Sequence, residues 1–212
     1  MPRTAYKFNQ AIHKDFPQII SLTSKGHEND LSSNVFDLLP FVFSDNMPSE
    51  KGYCKVRGNS NKRRTTKYIK SSYLIKALNF EKWKVIFPSA NGSPVIGSNT
   101  QTAIMGVPEL AEPYTATTET FMSFGFFEDK LAASNALKYI KSKFARTMLG
   151  VLKATQHNPV STWKYVPIQD FTSSSDIDWT KSVHDIDLQL YDKYGLTDDE
   201  RQFIETHVKA ME

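Results

Sequence analysis

The chain has 212 residues, of which 40% are hydrophobic and 12% aromatic, so it can bury a core and is not wholly disordered. Its 26 lysines and arginines against 23 aspartates and glutamates give a net charge of +3, and its single cysteine excludes an internal disulfide framework and a cysteine-cluster zinc site. The apolar runs are far shorter than the ~20 residues that cross a bilayer, and no apolar signal segment follows the N-terminal basic residues, so we expect a soluble, cytoplasmic protein with no membrane partner.

The first fifty residues alternate short apolar stretches with polar turns. Pro17, Pro40 and Pro48 interrupt them, which predicts an irregular segment without long helices. We interpret residues 1–50 as an N-terminal segment, which could link to upstream domains, and residues 51–212 as the main domain.

The middle of the chain predicts short strands with turns between them. The predicted strands are Tyr53–Arg57, Arg64–Ile69, Trp83–Phe87, Ala103–Gly106 and Thr120–Phe127. The residues from Gly58 to Asn61 favour a turn between the first two strands, so we expect a hairpin with a basic tip.

The C-terminal third predicts helices. Apolar residues recur every three or four positions over Asp129–Lys153, with basic residues between them, which predicts one amphipathic helix. A second helix is predicted from Ser182 to Tyr194, and Thr197 begins a capping box that opens a last helix reaching about Lys209. The fold class is therefore α+β: an irregular N-terminal segment, a β-rich middle with a basic hairpin, and C-terminal helices.

The charges are distributed unevenly along the chain. Residues 51–84 hold eleven basic residues and one acidic residue, a net charge of +10, whereas residues 170–212 hold four basic and eleven acidic residues, a net charge of −7. Such a basic block indicates a surface that faces a polyanion, although a solvated basic face that pairs with the acidic tail is equally compatible with charge alone.

Motifs that would identify an enzyme are missing. The sequence has no Walker-type phosphate loop, no GxGxxG after a strand, no GxSxG and no HExxH, and Asn158-Pro159 lacks the second proline and the aromatic residue of the amino-methyltransferase tetrad. Asp170, Asp176 and Asp178 could hold a divalent ion as in a nuclease, but we favour turns and caps for them. We predict no catalytic residue and no metal ligand in this chain.

An ordered series of segments resembles the C-terminal region of bacterial restriction-modification polypeptides that carry an adenine-specific DNA methylase core. The segments are KVIFPSANGS from Lys84, FARTMLGVLKATQHN from Phe144, WKYVPIQDF from Trp163, DIDW from Asp176, LYDKYGLT from Leu190 and FIETHV from Phe203. The resemblance covers roughly residues 50–212 and implies a target-recognition region, which selects the DNA sequence while other domains methylate or cut. Because such polypeptides are much longer, we expect this chain to be a fragment or a separately encoded recognition piece.

We therefore predict a target-recognition-like domain that binds double-stranded DNA and works with methylase and nuclease domains or subunits of the same system. The resemblance implies that magnesium and S-adenosylmethionine serve those other domains of the parent endonuclease and methyltransferase and that this chain holds no cofactor. The predicted DNA-binding residues are Lys55, Arg57, Asn59, Asn61, Lys62, Arg63, Arg64, Lys67, Asn91 and Gln156. Six to ten phosphate contacts would lower the affinity by about 10³–10⁵ between 50 and 200 mM salt.

Two alternatives stay open at this point. A compact magnesium-dependent endonuclease would use carboxylates among Asp170, Asp176 and Asp178. A protein–protein docking module would use the apolar stripe between Leu137 and Val151, together with the acidic tail, to hold a partner subunit.

Overall fold

The computed structural model describes residues 6–90, 96 and 101–211, and within them the chain has both strands and helices. The strands are β1 (Lys7–Phe8), β2 (Tyr53–Ser60), β3 (Arg63–Lys70), β4 (Leu74–Ile75), β5 (Trp83–Pro88), β6 (Glu109–Ala111), β7 (Thr115–Thr117) and β8 (Phe121–Phe127). The α-helices are α1 (Gln10–Asp15), α2 (Ile19–Leu22), α3 (Val35–Leu38), α4 (Lys130–Lys141), α5 (Lys143–Leu152), α6 (Val183–Lys193) and α7 (Asp198–His207). The prediction of an α+β protein is confirmed. None of the helices in the described residues is long and apolar enough to cross a membrane.

The chain divides into two compact units. Of the described residues, those in 6–82 and 112–122 form the hairpin unit, and those in 83–111 and 123–211 form the helical unit. The chain thus crosses between the units more than once.

The hairpin unit is built on a three-stranded sheet with the order β3-β2-β7. β2 pairs antiparallel with β3 along their whole length and parallel with β7, so the predicted hairpin is confirmed. Short helices from the first fifty residues cover this sheet, and the core contains apolar side chains from both parts, including Ile12, Phe36, Val56 and Ile69. The prediction that long helices are absent from this segment is confirmed in the described residues, since α1, α2 and α3 have six, four and four residues.

The turn of the hairpin lies further along the chain than predicted. The two strands extend to Ser60 and from Arg63, and the residues between them, Asn61 and Lys62, have φ angles of 50° and 62°. Positive φ angles at both central residues characterise the type I′ turn, whose twist matches that of the strands. Gly58 is therefore a strand residue, and the prediction that it opens the turn is wrong.

The close approach of neighbouring side chains explains why residue 58 is glycine. A Cβ atom on Gly58 would lie 2.6 Å from Cγ2 of Thr118 and 2.7 Å from Cε2 of Phe36. The absence of a side chain lets the Phe36 ring lie directly against the strand.

The helical unit contains the sheet β6-β5-β8, with the last five residues of β8 in this unit. The central strand β5 is buried from Lys84 to Phe87. The predicted strand Ala103–Gly106 is wrong, because Ile104 has a φ of 65°, which is incompatible with extended backbone.

The single helix predicted over Asp129–Lys153 is two helices, α4 and α5, which meet at Ser142. Ser142 has an extended ψ of 147°, and its hydroxyl oxygen accepts the backbone N–H of Ala145 at 3.1 Å. The carboxylate of Asp187, in α6, accepts the N–H groups of Lys143 and Phe144 at 2.9 and 2.8 Å. These bonds satisfy the free donors of a new helix start, so the chain can break its helix inside the core.

The two C-terminal helices are confirmed with bounds close to the predicted ones. Ser182 caps α6, and Gly195 follows this helix with a φ of 64°. The capping box at the start of α7 is complete, because Thr197 and Glu200 bond each other's backbone N–H.

We expect Gly58→Ala to lower the free energy of unfolding by about 1–3 kcal/mol, because the added methyl group must displace the Phe36 ring or the Thr118 methyl group. Urea denaturation of the purified chain measures this change. In a Phe36→Leu background the cost should shrink, since the smaller side chain leaves room. An equal cost in both backgrounds would show that the ring is not the obstacle.

Candidate nucleic-acid interface

The register of the hairpin places its predicted DNA-binding residues on two faces. Asn59 lies opposite Arg64, and Arg57 lies opposite Thr66, so these side chains share the face that also carries Lys55. Lys67 lies opposite the buried Val56, on the core side. The predicted set is therefore not one continuous patch along the hairpin.

Two of the predicted lysines form ion pairs within the hairpin unit. Lys55 pairs with Glu112, and Nζ of Lys67 lies 2.7 Å from Oδ1 of Asp45 and 5.9 Å from the centre of the Phe36 ring. A carboxylate at this distance competes with a phosphate for the lysine. These two lysines contribute less to an anion-binding surface than their residue type suggests.

Arg57 and Asn59 lie along the strand rather than at its exposed end. Nη1 of Arg57 donates to Oγ1 of Thr66 at 3.3 Å, and the side chain is half-buried. The amide oxygen of Asn59 is buried and has no hydrogen-bond partner among the described residues. Neither group is presented to solvent as a base-reading side chain would be.

The tip of the hairpin presents an unbroken run of exposed residues, from Asn61 to Arg64. Lys62 and Arg63 form no ion pair with any residue that the structure describes. The guanidinium carbon of Arg64 lies 5.6 Å from the centre of the Phe121 ring, which holds this side chain by a cation–π contact. The tip therefore concentrates positive charge at one end of the ribbon.

Asp37 fixes the tip from the neighbouring helix α3. Its carboxylate accepts the hydroxyl of Ser60 at 2.6 Å and the backbone N–H of Asn61 at 3.3 Å. These hydrogen bonds hold the pKa of Asp37 below its usual range. Asp37 is not among the predicted residues, because a lone aspartate more than twenty positions before the turn gives no local signal in the sequence.

The basic residues of segment 51–84 do not form one surface. Lys84 belongs to the helical unit and is fully buried in β5, and this burial lowers its pKa to about 8. Lys76 packs against an aromatic ring, since its Nζ lies 5.2 Å from the centre of the Phe80 ring.

The remaining two predicted residues lie outside the hairpin. Asn91 falls outside the described residues. Gln156 is exposed in a bend after α5 and belongs to the helical unit.

The carboxylates of the acidic stretch form turns and surface pairs. Asp170 accepts the N–H of Thr172 at 2.8 Å, and Asp178 accepts the N–H and the hydroxyl of Thr180 at 3.0 and 2.6 Å. Asp176 pairs with Lys193 at 2.8 Å. The interpretation of Asp170 and Asp178 as turn-forming residues is confirmed, and the described residues contain no group of three or more potential metal ligands.

Comparison of the chain with protein-family models, curated proteins and solved structures gives no match. The resemblance to target-recognition regions therefore stays a prediction. The geometry of the hairpin is the evidence on which a function can be proposed.

We expect the carboxyl group of Asp37 to titrate below the usual aspartate range, and the amide signal of Asn61 to follow the same transition. The bonds from Ser60 and Asn61 favour the ionised carboxylate, so they stabilise the tip at neutral pH and are lost as the pH falls through the lowered pKa. NMR titration of the carboxyl carbon and the amide measures both. Ser60→Ala should raise the pKa of Asp37; an unchanged value in that variant would contradict the contact.

Proposed function

We propose that this chain binds double-stranded DNA through the tip of the β2–β3 hairpin, as the target-recognition part of a restriction-modification enzyme. The observation that carries the proposal is the exposed pair Lys62 and Arg63, which lacks ion-pair partners among the described residues. Methylation and cleavage would belong to other domains or subunits, together with the magnesium and S-adenosylmethionine that they need.

The shape of the hairpin supports this proposal. The major groove of B-DNA is about 12 Å wide and admits a two-stranded β-ribbon. A two-residue type I′ turn gives such a ribbon a short, narrow end, and here Asn61 and Lys62 form it. Lys62 lies in this turn, and Arg63 and Arg64 follow it, so the end of the hairpin that would enter the groove also carries positive charge.

The residue types at the tip suit the two tasks of a DNA-binding surface. Lys62 and Arg63 would bind backbone phosphates, which position the protein without reading sequence. Asn61 and Arg64 are the types that read adenine and guanine edges with paired hydrogen bonds. The bond with Asp37 would hold the backbone of Asn61, and the Phe121 ring would hold the side chain of Arg64, before DNA arrives.

The ion pairs of Lys55 and Lys67 make the proposed surface smaller than the sequence suggests. With two phosphate contacts, from Lys62 and Arg63, the slope of log affinity against log salt is about −1.8. With the six to ten contacts of the larger predicted set, the slope would be at least about three times as steep.

We expect the affinity for a random-sequence duplex to fall by about 12-fold between 50 and 200 mM salt, because two contacts release few counterions. Fluorescence anisotropy across a salt series, with a magnesium cleavage control, measures this. A loss of 10³-fold or more would return Lys55 and Lys67 to the interface. No binding at 50 mM salt would favour the protein-docking alternative, and magnesium-dependent cleavage would favour the nuclease.

We expect the double variant Lys62→Ala/Arg63→Ala to bind this duplex about 30-fold more weakly at 50 mM salt and to lower the salt slope by about 2, since two charged contacts are lost. Both side chains are exposed, so the fold should not change. Lys14→Ala/Lys25→Ala removes the same charge from exposed positions elsewhere in the hairpin unit and is the matched control. Equal losses in both variants would mean that the tip has no special role.

A further inference from the structure

The helical unit carries an apolar groove between α5 and α7, with a volume of about 370 Å³. Its apolar lining consists of Met148 from α5, Leu196 from the connection before α7, and Phe203 and Ile204 from α7. Ile204 is buried, whereas 43% of Phe203 is exposed. Single exposed apolar side chains are ordinary on a protein surface, but adjacent ones that line a groove mark a binding surface.

The apolar stripe that the sequence predicts along α4 and α5 is open to solvent only near its C-terminal end. Ile140 and Phe144 are buried in the core. Val151, which is 61% exposed, and Leu152 lie three and four positions after Met148, so they continue its side of α5. The apolar surface of the groove therefore extends along the last turn of this helix.

The walls of the groove are ordered by contacts within the helices. The Phe203 ring stacks on the imidazole of His207, one turn further along α7, with ring centres 4.2 Å apart and planes 21° apart. The hydroxyl of Thr147, another lining residue, donates to the carbonyl oxygen of Lys143 at 2.8 Å. An apolar side chain that enters the groove thus meets a fixed aromatic wall, which reduces the entropy lost on binding.

The charged residues that line the groove are both acidic, Asp199 and Glu200, and the neighbouring Asp198 is also exposed. Asp198 and Asp199 form no ion pair with any residue that the structure describes. They complement the partial positive charge at the start of α7 while their carboxylates stay in solvent.

Basic side chains of the same two helices do not neutralise this edge. Nη2 of Arg201, in α7, lies 2.8 Å from Oδ1 of Asp192, and Nζ of Lys143, in α5, lies 2.5 Å from Oε2 of Glu205. Both are therefore paired with other carboxylates. The groove combines an apolar interior with an edge of negative charge.

We propose that this groove docks an amphipathic helix of a partner protein, with apolar anchors on one face and lysine or arginine beside them. From Met148 to Leu152 the apolar surface follows α5 for about 6 Å, which is the axial spacing of residues i and i+4 on a helix. Helices that dock in grooves place anchors at this spacing. Basic residues flanking the anchors would meet the carboxylates at the start of α7.

The same charges argue against a second copy of the chain as the occupant. A two-fold dimer through the groove would bring Asp198 and Asp199 of both copies together, and like charges at an interface are unfavourable. The negative edge also repels DNA. This inference does not depend on DNA binding by the hairpin.

The test begins with selection of a displayed library of helical peptides, about 15 residues long and randomised in sequence, on the full chain. We expect enriched peptides to carry net positive charge and apolar residues at i, i+3 or i+4, and i+7, with affinities around micromolar. Fluorescence anisotropy of the labelled peptides measures the affinities. The methyl NMR signal of Met148 should shift when they bind, which locates the site.

The apolar interior is tested with Phe203→Ala, which we expect to weaken binding of the enriched peptides about tenfold, because the aromatic wall is lost. Circular dichroism checks that this variant folds. Phe126→Ala removes a ring that is 70% exposed in the same unit and outside the groove lining, so it is the matched control and should bind like the original chain.

The acidic edge is tested with Asp198→Asn/Asp199→Asn, which changes exposed side chains only and keeps the capping box of α7. We expect about fivefold weaker binding at 50 mM salt and a smaller salt dependence, since two attractive charges are removed. Asp176→Asn/Asp185→Asn removes the same charge from exposed positions elsewhere in the helical unit and should leave the peptide affinity unchanged.

Several outcomes would overturn the proposal: no enrichment of peptides, enrichment of acidic ones, or equal affinities in the groove variants and their controls. A dimer in sedimentation equilibrium that Phe203→Ala dissociates would assign the groove to a second copy instead. The hairpin variant Lys62→Ala/Arg63→Ala should keep its peptide affinity, and Phe203→Ala should keep its affinity for duplex DNA. Failure of DNA binding at the tip therefore leaves the groove proposal intact.

Discussion

The register of the β2–β3 hairpin is the constraint on which the arrangement of the basic block depends. Side chains alternate between the faces of a strand, so a slip of one residue would move every side chain to the opposite face. In the observed pairing Val56 faces the core, and its partner Lys67 stays near enough to the core side to contact Phe36. The turn at Asn61 and Lys62 closes this register with positive φ angles at both residues. The register therefore determines which basic side chains reach the exposed tip and which form contacts within the hairpin unit.

The helix α3 links the core to the tip. Phe36 lies where a side chain on Gly58 would be, and the adjacent Asp37 bonds Ser60 and Asn61 at the end of the same strand. The four-residue helix α3 thus packs against β2 through Phe36 and hydrogen-bonds the end of β2 through Asp37. The segment before residue 50, which the sequence suggests is irregular, positions the exposed charges at the tip of the hairpin. A surface loop held in this way loses less conformational freedom when it binds a partner.

The elements that the sequence predicts correctly are those whose caps and turns involve residues close together in the chain. Ser182, Gly195 and the Thr197–Glu200 pair act within a few residues, and the helices that they delimit were predicted nearly to the residue. Ser142 is also a local cap, but the N–H groups it exposes are satisfied by Asp187, more than forty positions away, so periodicity alone continued the helix. The basic hairpin was predicted for the same local reasons, whereas the ion pairs of its lysines depend on residues brought together by folding.

The break at Ser142 has a consequence for Arg146 that hydrophobic periodicity does not reveal. In one continuous helix, Arg146 falls among the basic residues between the apolar positions, which is a position for solvent. Two helices that meet at a cap no longer share one apolar face, and the buried side of α5 includes Arg146 together with Phe144 and Leu149. Two nitrogens of this guanidinium, Nε and Nη1, donate to three backbone carbonyl oxygens, and the third nitrogen, Nη2, has no partner among the described residues. A leucine or methionine there would fill the same space without the cost of burying a charge.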